Sequence, residues 1–279
     1  MPDPLFALVP AVIWAFSPIY YRVFMGKLDF LSLNLVRTSL ASVVLLGPAI
    51  YFGFNGAIYF ALLSGAITLA VGDTLFLLSI GESGASVAAP VIYTYVLFVQ
   101  ITATMIGESV PLVNFASAIL VILGVYILSR GGGGKPRLRG IVFAFAGALA
   151  WTVGQDFVAL ATSTGGNVVS VAFARNMAAA AALAIAVLGT RRHKRWPHLV
   201  LREYSFIAFI ALTDLVVGSL VFIYSIATAG LALTVIVTSI SPFLTQVFSK
   251  VLGKESPSNR DMLGGVLIVA ALVLAVALG

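Results

Sequence analysis

The chain has 279 residues, 61% hydrophobic and 9% charged, with mean hydropathy +1.10 and formal net charge +6. Soluble domains carry about 25% charged residues, so a water-soluble fold of this length lacks the polar surface it needs. The absence of cysteine excludes a disulfide framework and thiolate chemistry, and His193 and His198, both in one basic stretch, argue against a histidine metal site or catalytic triad.

The opening Met1-Pro2-Asp3-Pro4 lacks the charged start of a signal peptide, so the first apolar stretch reads as a permanent helix. A span needs about 20 apolar residues at ~1.5 Å rise each. Helices are expected near 5–24, 31–51, 57–80, 84–106, 112–129, 140–161, 167–188, 205–228, 231–252 and 261–278. Turn chemistry marks the breaks: Gly26–Asp29, Gly53–Gly56, Gly81–Gly84 and Gly107–Pro111 follow the first four helices. The glycine-rich basic stretch after Arg130 is linker-like. Continuous rather than alternating apolar runs argue against a β-barrel.

Ten spans put the cations on one side. Arg22 and Lys27 fall in loop 1–2, and Arg130, Lys135, Arg137 and Arg139 in loop 5–6. Loop 7–8 holds Arg191, Arg192, Lys194, Arg195 and Arg202, and loop 9–10 holds Lys250, Lys254 and Arg260. The remaining cations, Arg37 and Arg175, sit inside helices, near opposite membrane faces. The positive-inside rule then makes the basic loops cytoplasmic and both termini external, in the plasma membrane. The run Arg191–Trp196 reads as a topology signal touching anionic headgroups, not as a nucleic-acid site.

The halves resemble each other. Trp14 matches Trp151, Arg37 matches Arg175, and Gly72, Phe76, Ser79, Ile80, Gly84 and Gln100 match Gly218, Phe222, Ser225, Ile226, Gly230 and Gln246. Five helices is an odd number, so the second half must be inverted. The expected fold is therefore all-α and membrane-integral, ten helices in two inverted five-helix repeats. The expected divisions are residues 1–130 for the first repeat, 131–139 for the linker and 140–279 for the second repeat. The charges agree: loop 7–8 is basic while its counterpart, loop 2–3, carries no cation.

Ionisable groups inside spans cost about 2.5–3.5 kcal/mol at a helix centre and mark functional sites by default. Asp73 and Asp214 lie near mid-span at positions the repeat does not match, which suits substrate binding or proton coupling; a structural hydrogen bond or an arginine pair is the other reading. Gln155 and Asp156 point to a polar cavity wall, or to a helix end facing water. Gln100 and Gln246 suit either a symmetric cavity or interhelical glue. Trp14 and Trp151, with Tyr93 and Tyr95, offer rings for stacking on a substrate, or ordinary packing. Arg37 and Arg175 read as structural or gating cations. Pro18, Pro90 and Pro242 remove backbone bonds and serve as hinges or simply set helix shape. Glu82 and Glu108, at helix ends, read as solvated or capping residues.

The stretch Asn34 to Leu40 with Arg37, the triplet Gly107-Glu108-Ser109 followed by Gly124-Val125-Tyr126, the second-half Glu255-Ser256 followed by Gly264-Gly265, and Pro242 in helix 9 together resemble the ten-helix, EamA-type branch of the drug/metabolite transporter superfamily. In helix 4 the place of that proline holds Val96, with the proline displaced to Pro90. The resemblance implies an exporter of amino acids, related metabolites or drugs. The family habit places both termini in the cytoplasm, the reverse of what the charges argue. No P-loop, dinucleotide fingerprint or HExxH motif occurs, so no cofactor, metal or ATP-driven step is expected.

The expected function is a secondary carrier of small organic solutes working by alternating access around a midplane site. An exchanger of nucleotide sugars or other anionic metabolites and a passive channel are the alternatives. The expected partners are a small-molecule substrate and the bilayer, with no nucleic acid, for a monomer or homo-oligomer.

Overall fold

The computed structural model describes residues 4–21, 28–130, 137–192, 201–251 and 259–278, and these form ten helical rods. A 3-10 turn, Pro4–Ala7, leads into α1 (Leu8–Tyr21). The others are α2 (Phe30–Phe52), α3 (Ile58–Ser83), α4 (Ala85–Ile92 and Tyr95–Met105) and α5 (Leu112–Ser129). After the linker come α6 (Leu138–Ser163), α7 (Val168–Gly189), α8 (Leu201–Ala229), α9 (Leu231–Thr238 and Ser241–Val251) and α10 (Asn259–Leu278). The helix expected from near residue 140 begins at Leu138. Seven rods are long and apolar enough to cross a membrane, and the other three are shorter apolar helices.

The distribution of polarity is that of a bilayer protein. Large apolar side chains such as Val43, Ile50, Ile185 and Phe209 face outward. Asn34, Gln100, Asn176, Arg175 and Asp214 are buried inside. Lipid offers no hydrogen bonds, so polar groups must find partners within the protein.

Local capping repeats between the halves. Asp29 accepts from the Leu31 and Ser32 amides at 3.2 and 3.3 Å and opens α2; Asn167 accepts from the Val169 amide at 2.9 Å and opens α7. Partial burial pushes the Asp29 carboxyl up, but hydrogen bonds from Ser32 and Arg192 outweigh it and hold the group below its ordinary value.

The halves meet antiparallel. Asp29, at the start of α2, pairs with Arg192, beyond the end of α7, at 3.1 Å. Gly53, at the other end of α2, accepts from Ser170, near the start of α7, at 2.6 Å. Helices α5 and α10 cross antiparallel through glycines: a Cβ on Gly124 would meet the Gly264 carbonyl oxygen at 2.7 Å, and one on Gly264 would meet Leu128 at 2.8 Å. Small residues let membrane helices approach closely enough for dispersion to hold them.

Two π-helical irregularities were not expected. Helix α3 widens to a π-helix over Gly65–Gly72, and α8 does so over Thr213–Gly218. Helices α4 and α9 are broken at Tyr93–Thr94 and Ser239–Ile240, positions that correspond between the halves. Pro90 precedes the first break, whereas Pro242 lies in the first turn after the second, where its missing N–H costs nothing. Pro18 lies within α1.

Candidate functional site

The π-helical turns organise the middle of the protein. A π-helix leaves carbonyls out of the regular ladder and occurs frequently at functional sites. Asn34 donates to the Leu69 carbonyl at 2.7 Å, and Asn176 donates to the Leu215 carbonyl at 3.4 Å. Leu69 and Leu215 are equivalent residues of the two halves, yet the asparagines come from non-equivalent positions of α2 and α7. These asparagines were not singled out as site residues. Their signal was available as buried-type amides inside apolar spans.

Four charged groups converge on the π-turns. Arg37 of α2 pairs with Asp214 of the α8 π-turn at 2.6 Å, with side chains 12% and 6% exposed. Asp73, directly after the α3 π-turn, accepts from the Trp151 indole N–H at 3.1 Å. Arg37, Asp214 and Arg175 all lie within electrostatic range of Asp73. Each arginine stands about 10 Å along its helix axis at ~1.5 Å per residue, and because α2 packs antiparallel on α7 the two arginines approach the middle from opposite ends. The correspondence that relates Gly72 to Gly218 places Thr68 opposite Asp214 and Ser219 opposite Asp73. Each repeat thus contributes one acid and one arginine, with the acids at different registers.

The tryptophans are mirrored knobs. Trp151 packs on Gly72, where a Cβ would meet its Nε1 at 2.8 Å, and Trp14 packs on Gly218, where a Cβ would meet its Nε1 at 3.0 Å. Trp14 contacts Phe222 at 5.0 Å and Trp151 contacts Phe76 at 5.4 Å between centroids. Tyr95 sets its ring edge-on to Trp151 at 5.3 Å and to Tyr93 at 6.0 Å. Its hydroxyl points at Ser239 and Thr238, so the breaks in α4 and α9 face each other.

A second polar group lies toward one end of the bundle. Asp156 accepts from Thr102 at 2.8 Å. Gln155 is buried, and its Oε1 has no hydrogen-bond partner. Gln100 donates to the carbonyls of Val96 and Ala232 at 3.0 and 3.2 Å and so joins α4 to α9. The side chain of Gln246 lies outside the described residues. Glu108 accepts from the Leu231 and Ala232 amides at 3.0 and 3.2 Å, capping α9 from the opposite repeat. Gly230, at φ +86°, makes this possible, because a Cβ there would collide with the Glu108 carboxylate. Burial pushes the Glu108 carboxyl above its ordinary value even though both amides act to lower it. Glu82 lies near Arg137 and Arg139 at 3.5 and 3.8 Å. A groove of about 560 Å³ between α2 and α8, lined by residues such as Leu35, Leu40 and Tyr204, is almost wholly apolar and separate from these groups.

The comparisons with known proteins agree over nearly the whole chain. The model of the EamA-like transporter family matches residues 3–130 and 138–277. An uncharacterized transporter of Archaeoglobus fulgidus is 28% identical over 282 residues, covering 98% of each chain. A protein of known crystal structure superposes with a TM-score of 0.80 over 98% of this chain and 96% of its own, at 18% identity, a likeness of fold.

Proposed function

Because this chain belongs to the EamA-like transporter family, a family of membrane transporters, we propose that it is a secondary carrier, an exporter of small organic metabolites such as amino acids, or of drugs. It works by alternating access, the repeats rocking about a midplane site. The observation that carries this reading is the charge cluster of Arg37, Asp214, Asp73 and Arg175, buried or half-buried between two π-turns of opposite repeats. Such groups are costly in a membrane and are kept where a polar solute or a proton must pass.

The parts have distinct roles in this reading. The Arg37–Asp214 pair ties α2 to α8. Asp73 is the acid available for a substrate ammonium or for proton coupling. Trp14, Trp151, Tyr93 and Tyr95 form the walls, and Gln100, Gln155 and Asp156 contribute polar contacts. The breaks in α4 and α9 and the π-turns supply the places where the rods bend. Pro90 and Pro242 adjoin two of them, and Pro18 lies in α1.

A proteoliposome counterflow assay tests the carrier reading. Saturable uptake driven by unlabelled internal solute is expected. Flux that rises linearly with concentration, with unitary currents in planar bilayers, would favour a channel instead. An exchanger of nucleotide sugars would need more cations than Arg37 and Arg175 in the central layer.

A further inference from the structure

We propose that the substrate carries a carboxylate and that Arg175 binds it, in the place the Asp214 carboxylate takes beside Arg37. The inference rests on the carrier reading and adds a substrate class and a binding residue to it.

The repeat makes the argument. Arg37 and Arg175 are equivalent residues on α2 and α7. Arg37 meets a carboxylate from the π-turn of the other repeat at 2.6 Å. At the position equivalent to Asp214, the α3 π-turn carries Thr68, which has no charge to offer. Arg175 is 3% exposed, its Nε has no hydrogen-bond partner, and it makes no ion pair within 4.0 Å among the described residues. The Thr68 hydroxyl oxygen is likewise buried without a partner. Asp73 lies within electrostatic range of Arg175 but beyond contact.

A guanidinium presents a rigid fork of donors that matches a carboxylate, and leaving it buried without one is expensive. The same expense is relieved at Arg37 by Asp214. At Arg175 the sequence withholds the acid, and a bound substrate supplies it. The α3 π-turn packs on this part of α7: a Cβ on Gly65 would collide with the Arg175 backbone carbonyl, so the turn is held against Arg175 by backbone contact. The carboxylate then sits between repeats, where its arrival and departure change how tightly α3 and α7 are joined.

The test is thermal melting of the purified full chain with acetate, propionate and the L-α-amino acids, each compared with its primary amide. One or more carboxylates are expected to raise Tm with a saturable dependence, and the matching amides are not. Arg175→Gln is expected to remove the shift, and Arg175→Lys, which keeps the charge but loses the fork, to weaken binding roughly ten- to a hundredfold. Thr68→Asp builds into the first repeat the acid that the second already has. It is expected to raise the Tm of the ligand-free protein and abolish the carboxylate shift, whereas an acid buried beside a merely structural arginine already at ease would lower Tm.

Equal shifts from acid and amide, or a carboxylate shift that survives in Arg175→Gln or Thr68→Asp, overturn the assignment. Absence of any carboxylate shift in the wild type overturns it too. Saturable counterflow of a neutral or cationic solute in that case leaves the carrier reading standing without it.

Discussion

Replacing Asp214 by leucine should remove the carboxylate that Arg37 meets at 2.6 Å. The two groups are 2.6 Å apart with little solvent access, so water screens them weakly. With charge centres about 4 Å apart and an effective dielectric near 20, their attraction is about 4 kcal/mol. Removing one partner of such a pair costs about 3–5 kcal/mol, because the remaining charge keeps its desolvation penalty. Asp73, within range of Arg37, offsets part of this, which places the expected loss toward the lower end. Arg37→Met in the same background removes the charge that lost its carboxylate, so the double variant should regain more than half of the loss. Equilibrium unfolding in mixed micelles, titrated with SDS and followed by tryptophan fluorescence, gives all four corners of the cycle. The expected coupling is about 2 kcal/mol or more. A coupling below about 0.5 kcal/mol, or an Asp214→Leu cost below about 1 kcal/mol, would refute the claim that this contact holds α2 against α8.

Glu108→Ala should cost about 0.5–2 kcal/mol by uncapping α9. Because burial holds the Glu108 carboxyl above its ordinary 4.5, the folded state favours the protonated form. Stability should therefore fall as pH rises through that raised value, and the slope should be missing in Glu108→Gln; an unchanged pH profile in that variant contradicts the assignment. Gly72→Ala should destabilise by about 1–3 kcal/mol through collision with Trp151, more than Gly218→Ala, whose nearest contact is looser at 3.0 Å. Equal thermal shifts for the two would count against the packing described. A reporter fused to the C-terminus should be active only outside the cytoplasm, and cytoplasmic activity would reverse the orientation inferred from the basic loops. If Asp73 couples transport to protons, Asp73→Asn should flatten the pH dependence of counterflow; retention of the wild-type profile would remove Asp73 from that role.

The architecture was legible in the residues because a bilayer imposes strong, local demands. Twenty-residue apolar runs and the Gly and Pro breaks between them can be read without knowing what touches what. The matched Trp14 and Trp151 or Arg37 and Arg175 carried the repeat in the same way. The π-turns were not legible, because a π-turn differs from an α-turn by one residue of register and arises where neighbouring side chains, here Asn34 and Asn176, capture the freed carbonyls. Glu108 appeared as a helix-end residue; that it caps α9 of the opposite repeat depends on Gly230 lying beside it. The partnership of Arg37 with Asp214, 177 positions apart, likewise belongs to the tertiary structure alone. Sequence determined which groups had to be buried, since hydropathy is a property of each segment; only antiparallel packing of the two halves decided which of them found a partner, since contact geometry is a property of pairs.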